Sequence, residues 1–177
     1  MTAMTPKQTH AFAYWLERAL ANMGVQPFDD AVIFGSAVMK LHGLKEEIGD
    51  VDLFVSQRAY DRLRRQGWVE LRPAEHDPPF LEGQSIITRS LSVRSVMDFH
   101  AFYTWTSRDA WLDVPECFAR SERVGGVMAI PLSLVAKHKT EALTHCAKYG
   151  IEIPGSPWEK HIADLNTLTE AGVTADE

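Results

Sequence analysis

Cysteine is almost absent from this 177-residue chain. The two present, Cys117 and Cys146, stand alone and show no metal-ligand spacing. This excludes a cysteine-built zinc site and points to reduced, partly buried thiols of a cytoplasmic protein. No apolar run approaches the roughly 18 residues of a membrane span. The N-terminus lacks a basic segment followed by an apolar core, so no secretory signal is visible. Internal repeats and low-complexity segments are missing too. Positive charge is in deficit: the net charge of −6 means the chain as a whole is no electrostatic sponge for nucleic acid. Arg58, Arg62, Arg64 and Arg65 cluster near one predicted helix, and Arg89 and Arg94 flank another turn. The first group reads as a solvated helix face in preference to an RNA-binding patch. His42, His100, His138, His145 and His161 lack the pairing of a metal hydrolase and read as ordinary histidines, with His100 close enough to Asp98 to tune it.

What is present is an ordinary globular content, 45% apolar, enough for a real core in one domain with a small helical appendage. Thr5-Pro6 starts a helix, and Phe12, Trp15, Leu16, Ala19, Leu20 and Met23 recur at helical spacing until Gly24 stops it. Ala31 to Phe34 is a strand that ends in the turn Gly35-Ser36, where Ser36 is a good N-cap for a short helix over Ala37 to Leu41. Val51 to Val55 is the next β-prone run, starting amid the two aspartates Asp50 and Asp52. Side chains i and i+2 share a face, so Asp50 and Asp52 point one way while Val51, Leu53 and Val55 point the other. Ser56 caps a helix to about Gln66, and Trp68 to Leu71 is a third strand. Arg72 to Gly83 reads as a loop. Gln84 to Thr88 and Val93 to Phe102 form a hairpin whose second strand carries Asp98 and His100 on one face. A carboxylate inside this apolar run needs a metal, a basic partner or water. Ser107 to Arg120 is helical in part, interrupted around Pro115. Gly125-Gly126 leads into the strand Val127 to Ile130, and Pro131 starts a long helix. A last helix follows the turn from Pro154 to Pro157.

The order of strand, Gly35-Ser36, short helix and Asp50-Val51-Asp52 resembles the nucleotidyltransferase superfamily, which shares the catalytic core of DNA polymerase β. The segment from Lys139 to Leu143 is similar to the Lys-x-x-Ala-Leu helix of abortive-infection and toxin-type members. Lys160-His161-Ile-Ala-Asp164-Leu165 is similar to their Lys-Asp-x-x-Asp-Leu ending, with His161 replacing the first acid. The resemblance covers most of the chain from Ala31 to Leu168. It implies an α+β nucleotidyltransferase fold, with a central mixed β-sheet flanked by helices and a C-terminal helical pair. Residues 1–130 would be the catalytic core and 131–177 the helices packed on it. Lys160 and Asp164, four apart on one helical face, pair with each other or with Lys139 across helices.

The resemblance further implies a transfer of a nucleoside monophosphate from an NTP to a hydroxyl. Asp50, Asp52 and Asp98 would be the catalytic carboxylates and the ligands of Mg²⁺ (or Mn²⁺). Asp50 and Asp52 would hold the metal that travels with the triphosphate, and Asp98 the one at the acceptor. Gly35 and Ser36 would receive the phosphates on backbone N–H groups, with Lys139 as the positive charge on the triphosphate and Lys137 and Lys40 as weaker candidates. The acceptor would be RNA, with tRNA first among the options, or a protein, in a toxin or defence setting with a cognate antitoxin as a partner. A small molecule such as an antibiotic is the alternative acceptor. Two other classes compete: a non-catalytic nucleotide-binding or regulatory module on the same fold, and an unrelated α/β interaction domain whose acids form a solvated edge.

Overall fold

A computed structural model describes residues 4–71, 86–90, 98–102, 113–149 and 157–175. The chain opens with helix α1 (Pro6–Asn22). Thr5 and Gln8 form a reciprocal capping box, and Pro6 takes the first turn, where its missing N–H costs nothing. The face carrying Phe12, Ala13, Leu16 and Leu20 is buried. Trp15 rests 5.6 Å from the Phe99 ring, so α1 covers the sheet at Phe99.

The sheet comprises β1 (Ala31–Phe34), β2 (Asp50–Val55), β3 (Val69–Leu71), β4 (Ile86–Ser90), β5 (Asp98–Phe102), β6 (Glu122–Val124) and β7 (Val127–Ala129). Its order is β3-β4-β5-β2-β1-β7-β6. The β2–β5 and β1–β7 pairs are parallel and the other four antiparallel, so the sheet is mixed. Helices α2 (Ser36–Leu41), α3 (Gln57–Arg65), α4 (Val114–Arg120), α5 (Leu132–Tyr149) and α6 (Pro157–Glu170) complete an α+β fold.

The β2–β5 pair lies at the centre of the sheet and positions the site. Along β2, Val51, Leu53, Phe54 and Val55 are buried while Asp50 and Asp52 are half-buried. The alternation expected of an acid-faced strand is therefore present. It ends at Phe54, which shares the acids' face but stacks on Phe34 with centroids 4.0 Å apart. This stacked pair closes the inner end of the acid face with apolar surface.

Several boundaries differ from the sequence expectation for identifiable reasons. Pro115 opens α4 in place of interrupting a helix, with Asp113 capping the Glu116 N–H. Proline is well placed in a first turn and disruptive later. Glu122–Val124 forms a strand of its own, and Gly125 with Gly126 turns it into β7. The expected hairpin is formed by β4 and β5. The loop 72–83, Arg94 and the turn before Pro157 lie outside the described residues, as do the side chains of Arg89, His145 and Cys146. Cys117 is buried and free, and burial pushes its thiol up to about 12. Among the arginines of α3, Arg58 bonds the buried Asp30 at 2.8 Å and Arg62 bonds the Gly24 carbonyl, so both are tied to their own fold.

No helix of the described residues is long and apolar enough to cross a membrane.

Candidate metal centre

Asp50, Asp52 and His100 come together on one face of the β2–β5 ladder. Parallel pairing sets Asp52 opposite His100 and Asp50 opposite Asp98. The His100 Nδ1 lies 3.5 Å from Asp52 Oδ1 and 4.0 Å from Asp50 Oδ2. One ligand atom from each of the three residues falls within 4.8 Å of the others. Their side chains are 32%, 26% and 31% exposed, so solvent and solutes reach them. Two carboxylates and an imidazole are a donor set that fits a divalent cation. Among the described residues, neither carboxylate has a lysine or arginine within ion-pair distance.

Burial pushes the Asp52 carboxyl above its ordinary range, the Asp50 charge adds to this, and the His100 imidazole and the Lys160 ammonium oppose it. Lys160 is an exposed residue of α6. Its ammonium acts electrostatically on Asp52.

Asp98 occupies the first position of β5, in register with Asp50 and two residues before His100. Its side chain lies outside the described residues. Gly35 sits at the N-cap of α2 with φ 70°, and a Cβ there would meet Asp52 Oδ2 at 3.0 Å. Glycine is thus required by the left-handed backbone and by the approach of the Asp52 carboxylate.

Ser36 is the first residue of α2 and not its cap: the cap position belongs to Gly35 and makes no side-chain hydrogen bond. The Ser36 hydroxyl is buried and donates to Asp164 Oδ2 at 3.1 Å. Asp164, 2% exposed, is the hub of a second cluster. Lys139 Nζ reaches its Oδ2 at 2.7 Å, and Lys45 Nζ bonds its Oδ1. Burial works to raise the Asp164 pKa, but the two ammonium groups outweigh it and hold the carboxyl below its usual range. Lys139 therefore spends its charge on Asp164, the cross-helix pairing that the sequence offered as one option. The hub ties α6 to α5, to the start of α2 and to the segment after α2. Beside it, burial and the neighbouring lysines lower the His161 pKa to about 4. His138, also lowered to about 4 by burial, has a buried Nδ1 without a hydrogen-bond partner among the described residues. Lys40 is engaged with the Glu46 carbonyl and lies 5.2 Å from the Phe12 ring centroid.

The sequence did not single out His100 as a ligand, nor Lys45 as a partner of Asp164. The signal for His100 was its spacing: two residues past an acid on a strand puts it on the acid's face. Lys45 had none, because it lies on an irregular segment and its partner is 119 positions away.

No protein-family model matches the chain, and no match is found among curated proteins or solved structures.

Proposed function

We propose that the chain is a metal-dependent nucleotidyltransferase with the polymerase β-type fold, moving a nucleoside monophosphate from an NTP to a hydroxyl of RNA or protein. The observation that carries this reading is the convergence of Asp50, Asp52 and His100 beside Gly35 on a solvent-reachable face, with no lysine or arginine of the described residues within ion-pair distance of the acids. Like charges held this close are costly unless a cation arrives from solution. Asp50 and Asp52 hold the divalent ion, with Asp98 as the further carboxylate at the acceptor side. When bound, the ion supplies charge stabilisation to the attacking and leaving oxygens. The Gly35-Ser36 backbone lies beside the Asp52 carboxylate and lets a triphosphate approach closely. Lys160 is the exposed ammonium that meets the triphosphate charge, while Lys139 acts from behind by fixing Asp164 and, through it, Ser36. The acceptor oxygen bonds to the α-phosphorus, the bond from that phosphorus to the bridging oxygen breaks, pyrophosphate leaves and the hydroxyl proton is released.

Four α-labelled NTPs incubated with total RNA, protein extract and aminoglycosides test the reading and sort the acceptors. Label in RNA or protein supports it, and label in aminoglycoside moves the acceptor to a small molecule. Nucleotide binding without any transfer would convert the reading to a binding module on the same fold. Absence of both would contradict it.

A further inference from the structure

We propose that His100 is a metal ligand in its own right, making this centre a mixed nitrogen–oxygen site that selects Mn²⁺ over Mg²⁺. The inference rests on the reading of Asp50 and Asp52 as metal ligands and adds what kind of cation they take. Three observations support it. First, the imidazole is positioned by the sheet: parallel register fixes position 100 opposite position 52, on two central strands of the fold. Second, its Nδ1 stands 3.5 Å and 4.0 Å from one oxygen of each acid, a spacing at which one cation can touch all three. Third, the three side chains are similarly exposed, so a hydrated ion reaches all of them from one side.

The chemistry then chooses the ion. Mg²⁺ demands oxygen ligands in near-ideal octahedral geometry and dehydrates reluctantly. Imidazole nitrogen suits first-row transition ions, and carboxylates suit Mn²⁺ as well as Mg²⁺. A site with two carboxylates and one imidazole therefore favours Mn²⁺. The competing role for His100 is a counter-ion: a protonated imidazole that neutralises the acids and involves no metal. The two roles predict opposite signs. A counter-ion must be expelled before a cation enters, so its loss tightens metal binding. A ligand is lost with its nitrogen, so its removal weakens binding.

The experiment titrates the full chain, without nucleotide, with Mn²⁺ by electron paramagnetic resonance and with Mg²⁺ by calorimetry. The wild type, His100→Gln, His100→Asp and Asp52→Asn are compared at one pH, with melting curves confirming that each is folded. The wild type is expected to bind Mn²⁺ about tenfold more tightly than Mg²⁺ or better, and His100→Gln to lose most of that preference. His100→Asp, with an all-oxygen set, is expected to narrow the gap by improving Mg²⁺ binding. Unchanged or tighter Mn²⁺ binding in His100→Gln, with binding lost in Asp52→Asn, overturns the role of His100 and leaves the metal reading standing. No binding of either ion to the wild type, or wild-type binding in Asp52→Asn, overturns both.

Discussion

Asp164 and the pair Asp50–Asp52 show two ways of keeping carboxylates in a fold. Asp164 is 2% exposed and surrounded by two ammonium groups and a hydroxyl. A carboxylate so deeply removed from water is tolerable only with partners of this kind. The pair on β2 is half-exposed, carries like charges on one face, and meets only an imidazole at ion-pair range among the described residues. The difference separates an acid that holds the molecule together from acids kept at a cost. Residues of the second kind mark functional sites more often than residues of the first.

Removing Asp164 should hurt stability most. Asp164→Ala leaves the Lys139 ammonium buried without its anion and Ser36 without its acceptor, and the expected loss is about 3–5 kcal/mol in denaturant unfolding. Asp164→Asn keeps acceptors for Ser36 and should lose less. A loss below about 1 kcal/mol for the alanine variant would erase the distinction between the two clusters.

Acid titration gives the next largest effect. The His138 and His161 pKa values fall from 6.5 to about 4 in the folded protein, His138 chiefly by burial and His161 by burial and nearby lysines. Between those values the unfolded chain takes up protons that the native state refuses. Stability is therefore expected to fall as pH drops from about 6.5 to about 4, by up to ~3 kcal/mol for the more buried His138. Asp164 has the opposite origin and the same sign: its lowered pKa stabilises above the ordinary carboxylate range, and that contribution is lost as pH falls through its folded value. Melting curves in His138→Gln should show a flatter decline over the upper part of this window.

Gly35→Ala sharpens the comparison at the acid pair. A Cβ 3.0 Å from Asp52 Oδ2 on a backbone at φ 70° should cost about 1–3 kcal/mol and weaken metal binding by displacing that carboxylate. Equal melting and equal metal affinity would remove the argument for glycine.

The smallest expected effect is of reversed sign. Asp50→Asn removes one of two like charges and should stabilise the metal-free protein by about 0.5–2 kcal/mol, the range that relief of unfavourable charge gives. Destabilisation would place Asp50 among the structural acids with Asp164.

Much of this was legible in the sequence because it is local. The face of Asp50 and Asp52 follows from strand alternation, and the core face of α1 from helical spacing. The Thr5-Pro6 start follows from capping chemistry. Ser36 was misread as a cap because its hydroxyl is claimed by a residue 128 positions later. The β6 strand was missed because Glu122 and Arg123 give it an exposed, polar edge with no apolar signature. The pairing of Lys139 with Asp164 was left open because sequence shows a lysine's helix face and not its partner. His100 was visible only as a neighbour of Asp98, and parallel pairing, which sequence does not encode locally, set it against Asp52.

On the proposed reading, the half-buried acids of β2 carry chemistry and the buried Asp164 carries structure. The most direct test measures single-turnover transfer of label from α-labelled NTP in Asp52→Asn alongside its melting curve. Asp52→Asn is expected to keep or raise the melting temperature while transfer falls by about 10²–10³-fold, the scale of losing a preorganised electrostatic group. Full transfer in a folded Asp52→Asn protein would contradict it.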